Sequence, residues 1–107
     1  MNKKNEPIAY RIGRVFRLIE NTVAKSRDEK MKFKRMHYNI ANHVIPTMCK
    51  YFEFYFDSGL ASFETNVMIG RLLDFSPEEI PGKLTNDDQM YFWFGYYSGK
   101  KFCLDGE

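Results

Sequence analysis

Residues 7–24 read PIAYRIGRVFRLIENTVA, and the spacing inside this stretch decides the fold class. Pro7 suits the first turn of a helix, where its missing N–H would have no intrahelical partner anyway. Behind it, Ile8, Ile12, Val15, Phe16, Ile19 and Val23 recur at the three- and four-residue intervals of one helical stripe. The pattern predicts an amphipathic helix to about Ala24. At about 100° per residue, Arg11, Arg14 and Arg17 gather on roughly the opposite face. Only Arg17 has an acid one turn away, Glu20, so the row is expected to be a solvated and mostly unneutralised arginine face.

Working outward, helix signals continue to the C-terminus. Ser26 to Glu29 (SRDE) is a capping box, with Asp28 and Glu29 at the positive end of a second helix dipole. That helix is expected to reach about His43, before Pro46. Thr47 to Asp57 (TMCKYFEFYFD) reads as a third, aromatic helix closed by Ser58-Gly59. A fourth spans about Ser62 to Leu73, and Ser76-Pro77-Glu78-Glu79 caps one short turn. Pro81-Gly82 is a loop, and Thr85 to Asp88 caps a last helix through about Tyr97. There is no sustained period-two alternation and no Asn-Gly or Asp-Gly hairpin signal. The expected fold is all-α, a compact bundle of about five helices in a single domain over residues 1–107, with loose tails at 1–6 and 103–107. A chain of 107 residues supports one modest core.

Composition narrows the class further. Apolar residues make up 44% and aromatics 17%, which excludes a disordered chain. Met1 to Tyr10 has no apolar run behind its lysines, so no signal peptide is read there. The longest uncharged run, Met36 to Cys49, is too short to span a bilayer. A soluble, cytoplasmic protein with no membrane partner is expected. Cys49 and Cys103 match no zinc or redox spacing and are expected to be reduced, part-buried thiols.

The net charge of +2 hides an asymmetry. Residues 1–50 carry 12 Lys/Arg against 4 acids, or +8, and residues 51–107 carry 4 against 10, or −6. A chain polarised in this way attracts a polyanion on one side, or stacks head to tail with copies of itself. Beyond the arginine row, a second basic segment holds Lys30, Lys32, Lys34 and Arg35. Lys30 and Lys34 share one helix face, while Lys32 and Arg35 share another. Contacts from either segment would be to backbone phosphate, without base specificity.

Catalytic signals are lacking. His37 and His43 are six residues apart and point about 120° away from each other on a helix, so they do not form a metal pair. Asp88, three residues after Thr85, is better placed to cap a helix than to do acid–base work. There is no Walker A loop, nucleophile elbow or dinucleotide fingerprint. The expectation is no enzyme, no catalytic residue, no metal and no cofactor.

The last helix contains QMYFWFGYY. Met90, Trp93, Phe94 and Tyr97 form its expected core stripe, leaving Phe92 and Tyr96 on another side, with Gly95 admitting a close neighbour. Those two belong either to a helix sandwiched within the bundle or to an aromatic surface for a partner protein or stacked bases. The third helix poses the same choice, since Tyr51, Phe52, Phe54, Tyr55 and Phe56 cannot all face one core. Phe92, Tyr96 and Tyr55 are the candidate partner interface.

Ala9-Tyr10-Arg11-Ile12-Gly13-Arg14-Val15-Phe16 resembles the Ala-Tyr-Arg-Leu-Gly-Arg-Leu-Phe opening of a domain in type I-C CRISPR interference (Cascade) complexes. That domain is the C-terminal part of the large subunit and is also made separately as the small subunit. Pro81, Leu84, Asp88, Gln89, Phe92, Gly95, Tyr96 and Tyr97 keep the family's spacing, Val44-Ile45-Pro46 is similar to its Val-Phe-Pro helix start, and Ile69-Gly70 fits its penultimate helix. The resemblance spans about Pro7 to Phe102. It implies a non-catalytic helical-bundle subunit, present in more than one copy, that bridges the large and backbone subunits. It further implies that the subunit stabilises the R-loop, with the displaced DNA strand running over it. Arg11, Arg14 and Arg17 would contact that strand, assisted by Lys32, Lys34 and Arg35. The alternative is a stand-alone look-alike that occupies the small-subunit site and inhibits the complex. A helix-turn-helix regulator fits less well, because the third and fifth helices are too aromatic to read bases.

Overall fold

The apolar stripe of residues 8–23 is buried as its spacing demands. Ile12, Val15, Phe16 and Ile19 are at most 1% exposed, and each such burial contributes roughly 1.5–3 kcal/mol. The structure, a computed structural model, describes residues 6–105, with side chains as far as Ser98. It is an all-α bundle of α1 (Ile8–Val23), α2 (Arg27–His37), α3 (Val44–Asp57), α4 (Phe63–Leu72) and α5 (Asn86–Asp105), with a 3-10 turn at Pro77–Glu79. No strand occurs among the described residues. Nor is any described helix long and apolar enough to cross a membrane.

α1 is the central element, packed against α3, α4 and α5. Arg11, Gly13, Arg14 and Glu20 are buried along with its apolar stripe, so the one-sided helix of the sequence pattern becomes a helix covered nearly all round. Phe16 stacks on Tyr51 of α3, with ring centroids 3.8 Å apart, and meets Phe92 of α5 edge-on at 5.4 Å. Phe33, the buried residue of α2, leans on Tyr51 at 5.0 Å.

The helix starts follow their cap residues. Ser26 Oγ accepts from the Glu29 N–H at 3.2 Å, and Glu29 Oε1 accepts from the N–H groups of Lys25 at 2.8 Å and Ser26 at 3.0 Å. Those two backbone bonds, Lys25 first, hold the Glu29 carboxyl below the usual carboxylate range. Ser62 caps α4, accepting from Thr65 N–H at 3.1 Å. Thr85 and Asp88 bond reciprocally at 3.1 and 3.4 Å to open α5. Past Ser58, Gly59 takes φ of 74°, the left-handed conformation that ends α3.

Three boundaries differ from expectation. α2 stops at His37, because residues 38–42 turn instead. Asn39 and Asn42 favour that turn, and backbone bonds from Leu84 N–H to Ala41 O at 2.7 Å and from Val44 N–H to Gly82 O at 3.3 Å tie it to the loop before α5. α3 starts early, at Val44, with Pro46 accommodated in its first turn. α5 runs past Ser98, whose hydroxyl donates back to the Gly95 carbonyl at 3.0 Å, and continues through Asp105. Residues 103–105, expected in a loose tail, are thus helical. At the other end, Glu6 is bonded to Arg14. Residues 1–5 and 106–107 of the expected tails lie outside the described residues. Cys49 is a free thiol and exposed, not part-buried, while the side chain of Cys103 lies outside the described residues.

α1 and α5 run in opposite senses, since Tyr10 meets Ser98 while Phe16, later in α1, meets Phe92, earlier in α5. They touch backbone to backbone at two glycines. A Cβ added at Gly13 would overlap the Phe92 carbonyl oxygen, and one at Gly95 would overlap that of Tyr10. Gly13→Ala or Gly95→Ala is therefore expected to cost about 3 kcal/mol, lowering Tm by roughly 12–24 °C. Gly70 in α4 has nothing within 4 Å of an added Cβ. Gly70→Ala should stabilise by about 0.5–1 kcal/mol, and calorimetry of the three variants separates the two behaviours.

Candidate nucleic-acid interface

The arginine row sits within one helix as the sequence required, but its surroundings are not solvent. Arg11 is 5% exposed. Its Nη2 donates to the Arg71 carbonyl at 3.1 Å, and its guanidinium lies over the Phe75 ring. Arg71 is in the last turn of α4, where carbonyls lack helical partners and the helix dipole is negative. Arg14, also 5% exposed, pairs with Glu6 at 3.3 Å and lies over Tyr10. Neither guanidinium is available to a phosphate, which corrects the expectation that both contact DNA. The reason is the close α1–α5 crossing together with α4, which leave α1 covered at positions 11 and 14. Arg17, half-buried, is different. Its guanidinium lies over the Tyr96 ring at 5.0 Å and lines an open groove.

Beneath Arg17 lies a buried carboxylate. Glu20 Oε2 accepts from Tyr51 Oη at 2.7 Å and is 2.8 Å from His37 Nε2, while Glu20 Oε1 accepts from Tyr96 Oη at 2.6 Å. One side chain of α1 thereby joins α2, α3 and α5. Burial, reinforced by the Glu20 charge, pushes the Tyr51 phenol far above the ordinary tyrosine range. Burial and the bond to Glu20 do the same, less strongly, for Tyr96. His37 Nε2 lies against Glu20 and Tyr51, and His43 is exposed. Among the described residues no cluster of three or more His, Cys, Asp or Glu could hold a metal ion.

The second basic segment divides as its helix faces predicted. All four cations are exposed. Lys30 and Lys34 line a hollow of about 310 Å³ with Arg17 and Asn21. Lys32 points elsewhere, over Phe54 at 4.6 Å, in a small depression that also contains Glu29 and Asp57. Arg35 lines neither hollow. The structure thus assembles Arg17, Lys30 and Lys34, and leaves Lys32 and Arg35 outside the group.

The expected partner residues are core. Phe92 and Tyr55 are 0% exposed and Tyr96 4%, and Tyr55 Oη donates to Asn66 Oδ1 at 2.6 Å. The α5 stripe was phased to the wrong side. Phe94 and Tyr97 are exposed and Met90 largely so, while Phe92 and Tyr96 face α1. Gly95 carried the usable signal: a glycine that admits a close neighbour marks the packed face, and Phe92 and Tyr96 flank it there. What the sequence reading missed is a second hollow, about 490 Å³, lined by Arg17, Lys34, His37, Tyr38, Trp93 and Tyr97, with Tyr96 at its floor. Tyr38 reaches it from the turn that replaces the expected end of α2.

A phenol whose folded pKa is raised above its unfolded value of about 10 contributes stability that is complete below that pH and is lost as pH climbs further. Ultraviolet titration should therefore find at least two of the seven tyrosines ionising only as the fold is lost. All seven titrating together with native circular dichroism intact would contradict the geometry around Glu20. Glu20→Ala leaves the Tyr96 phenol without its acceptor and Tyr51 and His37 with only each other, and is expected to cost about 3 kcal/mol in urea denaturation.

No family model matches the chain, and neither a curated protein nor a solved structure does.

Proposed function

We propose that the chain is the non-catalytic small subunit of a type I-C CRISPR RNA-guided DNA surveillance complex, acting in the cytoplasm. In that role it bridges the large and backbone subunits and further copies of itself, and stabilises the R-loop through contacts to displaced DNA. One observation carries the reading. Two of the stretches that resemble the family, residues 9–16 and the end from Pro81 to Tyr97, have 64 residues between them in sequence, yet pack on each other at the Gly13–Gly95 crossing. The resemblance therefore includes residues that depend on one another physically. Tyr10, Gly13, Phe16, Phe92 and Gly95 are the residues the crossing needs.

The proposed DNA contact moves accordingly. Arg11 and Arg14 serve the fold, and Arg17, Lys30 and Lys34 offer the phosphate-binding cluster. Lys and Arg neutralise phosphates one by one, so affinity falls with salt in proportion to the contacts made. The acids Glu53, Asp57, Glu64, Glu78, Glu79 and Asp87 and the rings of Phe56, Phe63 and Phe94 are exposed, and are the groups offered to protein neighbours.

A type I-C complex reconstituted with and without this chain, assayed for target DNA at two salt concentrations, tests the role. Tighter binding with the chain is expected. Arg17→Glu, Lys30→Glu and Lys34→Glu together should flatten the salt slope by about 2–3 units. Equal affinity and equal slope in both preparations would remove the role, and weaker binding with the chain present would favour the inhibitory look-alike.

A further inference from the structure

α5 carries no charged residue from Gln89 to Gly99, and a helix that is apolar all round is ordinarily covered on every side. α1 covers one side, that of Phe92, Gly95 and Tyr96. On the other, Met90 is 44% exposed, Tyr91 37%, Phe94 57% and Tyr97 66%. Single exposed rings are common and need no explanation. Here four large side chains lie within about 60° of one line down the helix, at about 100° per residue. Exposed Phe56 and Phe63 differ, since Glu53, Asp57 and Glu64 stand beside them in sequence.

The two ends of this α5 face are charged, and oppositely. Phe94 is its midpoint. Asp87, which is exposed, stands seven residues before it, and Lys101 stands seven after it on the same helix. Seven residues return to nearly the same side of a helix, so the two positions share the face and lie about 21 Å apart along the axis. The register is self-complementary. A second copy laid antiparallel across Phe94 sets Asp87 level with Lys101 twice, Tyr91 level with Tyr97 twice, and Phe94 on Phe94. A parallel copy would set like charge on like.

We infer that the outer face of α5 docks a second copy of this chain, antiparallel and centred on Phe94. The same face is used on both copies, so the contact closes at two and does not propagate head to tail. Helices packed at a shallow angle of about 20° keep such end positions within reach of each other. The four apolar side chains, each about half exposed, offer roughly 400 Å² per copy. The pair therefore buries roughly 800 Å² from these side chains alone, which places it among weak, reversible contacts. The inference is independent of the DNA contact proposed above and concerns the free chain.

Sedimentation equilibrium of the full chain, without nucleic acid and from about 1 μM to about 1 mM, reads the contact in the range expected of a weak dimer. Reductant keeps the exposed Cys49 from linking copies. The mass should rise from 12.7 kDa toward twice that value and stop there. Phe94→Lys sets two like charges on the axis and should weaken the pair at least about tenfold, with Tm unchanged because the ring is exposed. Asp87→Lys and Lys101→Asp should each weaken it by about three- to tenfold, and the two together should restore it. A single species of 12.7 kDa throughout, growth beyond two copies, or a pair indifferent to Phe94→Lys overturns the docking. Failure of the combined reversal to recover the pair overturns the antiparallel register. None of these outcomes touches the subunit role, which the reconstituted complex decides separately.

Discussion

The constraint on which the rest depends is the backbone contact of α1 with α5 at Gly13 and Gly95. Packed helices ordinarily stay 8–10 Å apart at their axes because side chains intervene. Where two glycines face each other's chain, the backbones approach directly, and everything flanking them is fixed in register. Phe16 then meets Phe92, Tyr10 Oη reaches Ser98 Oγ at 3.0 Å, and Tyr96 is carried to Glu20. The polar hub around Glu20 is a consequence of that register. A buried carboxylate is tolerable only when its acceptor sites are filled, and here donors arrive from three other helices.

The same crossing explains why the arginines are interior. Once α5 lies against one side of α1 and α4 against another, residues at positions 11 and 14 cannot reach solvent, and long side chains must find partners under cover. Arginine suits such a site better than lysine, because its guanidinium is planar, weakly hydrated and stacks on rings. Arg11 donates to a helix-terminal carbonyl and lies over the Phe75 ring. Part of the positive charge of the N-terminal half is thus internal, and the surface field is narrower than the composition implies. It is concentrated on α2 and at Arg17.

Local chemistry was legible in the sequence, and neighbours were not. Caps at Ser26 and Thr85 need only residues three apart, and both form as read. The α1 stripe is equally local. Which side of α5 is covered depends on α1, and an all-round aromatic helix has no polar face to set the phase. Met90, Phe94 and Tyr97 obey helical spacing as well as Phe92 and Tyr96 do, so periodicity alone could not choose between them. The burial of Arg11 and Arg14 was hidden for the same reason, since an uncompensated arginine row looks alike whether water or another helix lies above it. Of the interface, Lys34 and Arg17 were readable, whereas Tyr38 and Trp93 entered only when α2 ended early and α5 turned over.

That exchange of faces gives the surface between α1, α2 and α5 its character. With Phe92 and Tyr96 turned inward, Trp93 and Tyr97 are necessarily directed toward α2, one and five residues beyond Phe92 along the same helix. The early end of α2 places Tyr38 opposite them, and Lys34, one turn before Tyr38, extends the same face toward Arg17. Glu20 lies beside Arg17 with its oxygens held by two phenols and His37, so the group that joins the helices also underlies this surface. The mixture of cations and rings there follows from the register set at Gly13 and Gly95.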